Sequence, residues 1–466
     1  MTPDVNPHRA LPSAGTCVDM HTAVLRGLFT WRQECGGDPS ELLSLSSEHG
    51  VRKPTGERGR GASLDLGKYV RVAPGDLVVN RLVARDGALA VSTLAGIVSP
   101  AYWVLRPRAA LLDSRFCHHL MRSRPVIDRI ARVSKFQPPA QYDVLWSDFR
   151  AISVSLPSIE DQRLLSRFLD YADRRIRRYI RVKQNLVKLV EEQKQAIIHR
   201  AVTCGLDPNV RLKNSGVEWL GDVPEHWEVK PLKHFVPQVT VGIVIQPARL
   251  YVNAGVPCLR SLNISSGVIK ADDVVFISPK SNAEHRKSQI FAGDLVVVRT
   301  GQAGVAAIVT PEFDGANCID LLIVRQSPRL VSEYLLTYLN SWPARTDVQY
   351  RSVGAIQAHY NTATLGNLAV AAPPLAEQRE ILDNVAEQLS PLDESIRMAH
   401  SEIALFEEYR TRLTADVITG RLDVREAASR LPDDAEEANL DEGEVVSDAE
   451  EDTPNDLDAV AEDAEA

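Results

Sequence analysis

The sequence predicts an α+β chain in which two small mixed α/β domains, repeated with pseudo-twofold symmetry, are joined by two long antiparallel coiled-coil helices and followed by a disordered acidic C-terminal tail. Three observations predict it: a sustained apolar seam in residues 158–203, a second copy of that seam 216 positions later, and opposite net charges on the two copies. The boundaries that follow are a first domain at 1–156 (irregular over 1–60), a first helix at 157–205, a linker and second domain at 206–372, a second helix at 373–425 and a tail at 426–466.

Residues 1 to about 60 carry little periodicity, and VRKPTGERGRG (51–61) reads as a basic, glycine-rich loop. Gly61 to Lys68 is not a phosphate loop, because its spacing is one residue too long and Tyr69 stands where a magnesium-binding Ser or Thr is required. Strand-like runs follow at 70–82 and 94–108, rich in β-branched residues and bounded by Gly and Pro. A helical pattern at 113–132 comes next. The segment KFQPPAQYDVLWSDFRAISVSLP (135–157) is expected to form a loop, a short helix and a strand.

The first long helix spans about 158–203, where Leu165, Leu169, Ala172, Ile176, Tyr179, Leu186, Val190 and Ile197 recur at steps of three, four or seven. At about 1.5 Å per residue it would extend on the order of 65 Å. Its copy, 375–419, aligns Leu165 with Ile381, Leu169 with Val385, Ile176 with Leu392, Ile180 with Ile396, Val187 with Ile403, Val190 with Phe406, Ile197 with Leu413 and Ala201 with Val417. Both helix entries have a proline before the first turn, acids within it and Gln-Arg at the same place, at Gln162-Arg163 and Gln378-Arg379. Residues 160–200 hold 11 Lys/Arg against 6 Asp/Glu, whereas 376–416 hold 4 against 10, so the copies are expected to pair with each other rather than with themselves. Pro391 is expected to kink or break the second helix. The basic run Arg174 to Arg181 is expected to face the acidic helix or an acidic partner.

The second domain repeats the order of the first. GDLVV recurs at an offset of 218, a helical YLLTYLNSW follows at 334–342, and AIQAHYNTATLGNLAVAAPPLAEQ (355–378) leads into the second helix. The tail from Glu426 contains 17 Asp/Glu and the single base Arg430, a net of −16 with almost no large apolar residue. Removing it from the total of −9 leaves +7 on residues 1–425, a basic body suited to a polyanion.

Six scattered cysteines without a CxxC pair indicate neither a disulfide framework nor a zinc site, which fits a reducing cytoplasm. No secretory pattern opens the chain, and no apolar run approaches the roughly 18 residues needed to cross a bilayer. No glycine-rich cofactor turn or Asn/Asp-Pro-Pro-aromatic motif occurs, and no lysine follows Lys287, so a catalytic centre is not expected. His118-His119 is the one adjacent histidine pair, and a packing role is expected for it rather than a metal site.

Several stretches together resemble the specificity (S) subunits of type I restriction-modification systems. They are NSGVEWLGDVPEHWEVKPLK (214–233), the paired entries LPSIEDQR and PPLAEQRE, AVTCGLDP (201–208) with DVITGRLDV (416–424), and GDLVVNR with GIVSPAYWVL. The resemblance covers about 65–425 and implies a non-catalytic subunit with two target-recognition domains, each reading one part of a split sequence in double-stranded DNA. It implies that the long helices dock two methyltransferase (M) subunits and, through them, restriction (R) subunits. It also implies that S-adenosylmethionine, ATP and magnesium belong to those partners, with no cofactor in this subunit. Such subunits often carry a second linker copy near the N-terminus, of which FTWRQECGG (29–37) is here at most a remnant. A coiled-coil scaffold, or a solitary DNA-binding protein without a restriction function, is the alternative reading.

Base edges are read by Arg, Asn and Gln, and phosphates by Lys and Arg. In the first domain the candidates are Arg81 and Arg85 after the GDLVV strand, and Lys135, Gln137 and Gln141 in the later loop. In the second they are Arg260, Asn263, Arg299, Gln302, Gln357 and His359. Trp219 and Trp227 in the linker are expected to be packing anchors.

Overall fold

The computed structural model describes residues 18–54, 66–137, 141–244, 247–341 and 360–431. Packing divides the chain into two compact units that cut across both long helices: unit 1 takes residues up to Tyr179 together with those from Ala404, and unit 2 takes Ile180–Ile403.

Unit 1 is built on a four-stranded antiparallel sheet in the order Phe29–Trp31, Tyr102–Pro107, Leu77–Asn80, Leu89–Val91. The inner strand Leu77–Asn80 is apolar over Leu77, Val78 and Val79 because both of its faces are covered. Leu77 and Val79 enter a core with Phe116, Leu120 and Phe149, while Val78 packs beneath Leu43, Leu45, Val72 and Val98. The helix Ser114–Arg122 is capped by the Asp113 carboxylate, which accepts from the Arg115 and Phe116 amides at 3.0 and 3.1 Å. The expected single helix over 113–132 is two, because the chain turns at Ser123 and Pro125 begins a second helix, Arg124–Val133.

The described part of the first 60 residues is regular, unlike the expectation. His21–Val24 pairs antiparallel with Ser153–Leu156, the strand that leads into the first long helix, and Phe29–Trp31 is an edge strand of the main sheet. FTW is therefore an edge strand of the domain sheet, with Phe29 buried and Thr30 and Trp31 exposed, rather than linker. The basic loop lies mostly outside the described residues.

Unit 2 repeats this plan: Glu228–Pro231 pairs with Ala369–Ala372, and a four-stranded sheet runs Val239–Val241, Leu321–Val324, Leu295–Val298, Ala306–Ile308. Leu295 and Val297 face one core and Val296 and Val298 the other, the same parity as in unit 1. The units differ over the second face. Unit 1 covers it with the strand pairs Ser44–Ser46/Gly50–Arg52 and Val70–Val72/Gly96–Val98, and unit 2 builds a second four-stranded sheet from Tyr251–Val252, Val275–Ile277, Val256–Leu259 and Asn317–Cys318.

The duplication extends to single hydrogen bonds. Asp76 and Asp294, after Gly75 and Gly293 at φ +91° and +90°, are both buried and each receives an arginine, but from different strands: Arg32 Nε at 2.5 Å comes from the edge strand in unit 1, where Arg106, the counterpart of Arg325, stays 3.8 Å away, and Arg325 at 2.5 Å comes from the inner strand in unit 2. Gln162 and Gln378, expected to be structural, are buried at the helix entries. The Gln162 side-chain carbonyl accepts from the Asp113 amide at 2.9 Å, and its amide donates to the Leu111 and Pro157 carbonyls at 3.0 and 3.1 Å. Gln378 accepts from the Val331 amide at 2.8 Å and donates to the Arg329 and Pro373 carbonyls at 3.0 and 2.9 Å.

The long helices are continuous, Ile159–Cys204 and Leu375–Ile418, the second running through Pro391 without the expected break. Within unit 1 they lie antiparallel, with Tyr179 stacked on Phe406 at 5.6 Å and Asp173 paired with Arg410. Within unit 2 they again lie antiparallel, tied by Lys183–Glu402 at 2.5 Å and Lys194–Asp393 at 2.6 Å. Charge complementarity is carried there by lysines. Arg177 instead pairs with Asp173 on its own helix at 2.8 Å, and Arg175 donates to Tyr171 at 2.8 Å. The seam follows Leu165, Leu169, Ile176, Ile180, Val187 and Val190, with Tyr179 at its margin against Phe406, whereas Leu186, also expected in it, is exposed with Val182 and Leu189.

Each helix ends on a glycine at φ +73°, Gly205 and Gly420. A Cβ at Gly205 would lie 3.2 Å from the Trp227 ring, and one at Gly420 would lie 3.2 Å from Met20. Trp227 is buried and donates through Nε1 to Glu377 at 2.9 Å, so it is the packing anchor expected of it. In unit 1 the matching carboxylate, Asp161, meets Arg425 at 3.4 Å. The first residues of the acidic segment form the helix Arg425–Ser429, with Ala428 buried, and the rest of it lies outside the described residues.

Replacing Gln162 or Gln378 with Ala leaves three backbone groups without their partner, a loss of about 3 kcal/mol or more in each case at roughly 1–3 kcal/mol per unsatisfied group. Because the two glutamines sit in separate units, denaturant unfolding of the double variant is expected to show additive losses.

Candidate nucleic-acid interface

The loop after Leu77–Asn80 carries Arg81 and Arg85. It is shaped by Asn80, whose side-chain oxygen accepts from the Leu82 amide at 3.2 Å, and closes in a short turn at Gly87, φ +92°. Beside it stands a two-stranded ribbon where a loop was expected. Lys135–Gln137 pairs antiparallel with Gln141–Asp143, with Lys135 opposite Asp143, Phe136 opposite Tyr142 and Gln137 opposite Gln141. The ribbon is tied to the loop by the Val144 amide on the Arg81 carbonyl at 3.3 Å, by Arg81 Nε to Asp143 at 3.5 Å, and by the Arg85 guanidinium 3.7 Å from the centroid of the Tyr142 ring. Lys135 reaches Asp148 at 3.1 Å. The fold thus brings together all five first-domain candidates, with Gln137 and Gln141 placed by their backbone pairing.

Sequence reasoning passed over the two aromatics between these residues. Phe136 is 54% exposed and Tyr142 37%, with their rings edge to face at 5.3 Å. Their signal was the polar–aromatic–polar pattern KFQ and QYD on either side of the Pro138-Pro139-Ala140 segment.

In unit 2 the candidates separate. Asn263 is 1% exposed and its amide organises a turn, accepting from the Arg260 amide at 2.9 Å and donating to the Asp272 carbonyl at 2.9 Å. That side chain has no group left for an external base. Arg260 is held to Asp273 at 2.9 Å and to its carbonyl at 2.6 Å. Arg299 meets Asp320 at 2.8 Å, and Thr300 donates to the same carboxylate at 3.2 Å. Arg260 and Arg299 flank one segment, since Leu259 lies beside Cys318 and accepts from the Ile319 amide at 2.8 Å. Gln302 is exposed in the turn before Ala306–Ile308. Gln357 and His359 lie outside the described residues.

No protein-family model matches the chain. The MjaVIII specificity subunit of a type I restriction enzyme from Methanocaldococcus jannaschii is 21% identical over 370 residues, covering 77% of this chain and 83% of that one. The EcoBI specificity subunit from Escherichia coli is 22% identical over 281 residues, 57% of this chain and 58% of that one. The relatives are type I specificity subunits. Among solved structures, a chain from work on complex assembly and conformational transition of the type I R-M system matches with a TM-score of 0.61 at 16% identity, covering 87% of this chain and 100% of that one. The resemblance read from the linker and the helix entries is therefore supported by similarity over most of the chain, and the fold is that of a chain of the type I system.

Three of the cysteines and the adjacent histidine pair are buried or paired. Burial raises the thiols of Cys117 and Cys318, and that of Cys258 to about 12. Among the described residues no group of three or more His, Cys, Asp or Glu is placed to hold a metal ion, and no helix is long and apolar enough to cross a membrane. His119 bonds Asp170 of the first long helix at 2.7 Å. His118 is pushed down to about 4 by burial, with smaller contributions from His119 and Arg122 opposed by Asp170 and Asp173.

Unfolded His118 takes up a proton near pH 6.5, while the folded residue resists until about 4. The unfolded state therefore binds more protons in that window, and stability falls as pH drops through it, by up to about 3 kcal/mol. Urea midpoints measured from pH 7 to pH 4 are expected to fall less steeply in His118→Gln than in the unsubstituted chain.

Proposed function

We propose that this chain is the DNA-recognition subunit of a type I restriction-modification complex, without catalytic chemistry of its own. Its two recognition domains each read one half of a split, asymmetric site in double-stranded DNA. The paired helices dock two M subunits, and R subunits join through that core, so that the complex methylates adenine or cleaves according to the state of the site. S-adenosylmethionine, ATP and magnesium act on the partner subunits.

The observation that carries this reading is the duplication itself. Two domains with the same sheet, the same buried aspartate before its inner strand and the same glutamine clasp each begin one long helix. A pair of linked readers makes the second binding event intramolecular and raises affinity for a site that matches both halves. A coiled-coil scaffold would need the helices but not two copies of a domain whose loops and ribbon carry Arg, Lys and Gln. On unit 1 the proposed contacts are Arg81, Arg85, Lys135, Gln137 and Gln141. On unit 2 they are Arg260, Arg299 and Gln302, with Gln357 and His359 as sequence candidates. Exposed Val182, Leu186 and Leu189, at steps of four and three on the first helix, offer an apolar strip for an M subunit.

The deciding experiment is methylome sequencing of a host that expresses this chain with its M subunit, against M alone. The expected result is a new split motif methylated on both halves, with half-site centres about one helical turn apart. A soluble complex that adds no methylation would overturn the reading.

A further inference from the structure

In an antiparallel ribbon directly opposed residues share a face, and successive residues alternate between faces. Lys135 and Asp143 therefore lie on one face of the 135–143 ribbon, and Phe136 and Tyr142 on the other. The first face is bound to its own domain, through Arg81 to Asp143 and Lys135 to Asp148. The second leaves two rings in solvent and holds Arg85 against one of them.

An arginine stacked on an aromatic ring loses rotational freedom but keeps the donor edge of its guanidinium available. That edge is what reads the O6 and N7 of guanine, and an apolar ring beside it suits the methyl group of thymine. A two-stranded ribbon also fits the roughly 12 Å width of the major groove. In both ion pairs that flank the rings the cation is more exposed than its acid, Arg81 45% against 13% for Asp143 and Lys135 59% against 32% for Asp148, so the surface presents positive charge to a polyanion. The acid beside Arg85, Asp86, stands 3.7 Å away and leaves the stacked guanidinium in place.

We propose that the paired strands Lys135–Gln137 and Gln141–Asp143 enter the major groove of duplex DNA by their Phe136–Tyr142 face. Tyr142 is a positioning residue that holds Arg85 for a guanine, and Phe136 packs on a neighbouring thymine methyl. Arg85, Phe136 and Tyr142 thereby set the half of the target that unit 1 reads. Lys135 and Arg81 stabilise the ribbon and meet phosphate rather than bases. This inference rests on the DNA-recognition reading above.

The test uses the full chain with its M subunit, expressed as Arg85→Lys, Phe136→Ala, Tyr142→Ala and Tyr142→Phe, and reads the methylated motif in each case. Arg85→Lys, Phe136→Ala and Tyr142→Ala are expected to relax discrimination about tenfold or more at one or two base pairs of a single half-site. Tyr142→Phe keeps the ring and is expected to keep the motif. The other half-site is unchanged throughout and reports that the complex is assembled. The unaltered motif in every variant would overturn the inference while leaving the recognition reading intact. Loss of all methylation together with loss of M co-purification would also overturn it, by making the ribbon a protein-docking face. An unsubstituted chain that directs no split motif would overturn both.

Discussion

The structure depends on one side-chain clasp made twice. Gln162 and Gln378 each stand in the first turn of a long helix and bond three backbone groups of the adjoining domain. A buried primary amide is costly unless its donors and acceptor are matched, and here they are. The clasp makes the first turn of the helix and the start of the domain helix one hydrogen-bonded object, so each domain is oriented by its helix. The strand that precedes each helix adds to this. Ser153–Leu156 and Ala369–Ala372 are paired along their length before the helix begins.

The clasp also explains why the helix ends close onto the domains in the same manner. Gly205 turns the first helix into the linker against Trp227, whose indole donates to Glu377 of the second helix within unit 2. Gly420 does the same in unit 1, against Met20, with Asp161 and Arg425 as the polar contact. A large indole with a donor is replaced by a thioether without one, and the ion pair takes over the polar part of the joint. The same mechanical position is thus filled by different chemistry, which is why the N-terminal counterpart of the linker carries no GVEWLG pattern to find.

Periodicity made the helices, their pairing and the duplication legible, because a heptad seam and a repeated Pro-x-x-x-x-Gln-Arg entry are local patterns with a physical meaning. Periodicity did not say which of two apolar stripes was the seam. Leu186 fits the spacing but faces solvent, Tyr179 stays partly exposed while stacking on Phe406 across the pair, and Lys183 and Lys194 fill half-buried positions because acids reach them. The ribbon was hidden for a different reason. Its strands are three residues long, too short to show alternation, and the proline pair between them reads as a loop. Asn263 could not be told from a surface asparagine because its partners, Lys270 and Asp272, turn back on it only in the folded chain.

The units share one part of their architecture and differ in another. The shared parts, the sheet with its two buried faces, the buried aspartate and the clasp, are the parts that set orientation. The parts that differ are the strands over the second face and the loops that carry the arginines. Unit 1 uses two short strand pairs where unit 2 uses a whole second sheet, and Asp320 and Asp273, the acids that hold Arg299 and Arg260, are the two described non-glycine residues with positive φ. Strained turns of this kind persist where the surrounding packing over-determines them. In unit 2 they pin arginines to acids at the end of the strands, as the Tyr142 ring pins Arg85 in unit 1. Both units present guanidinium groups whose freedom has been removed in advance, by two unrelated devices, on a scaffold that is otherwise the same.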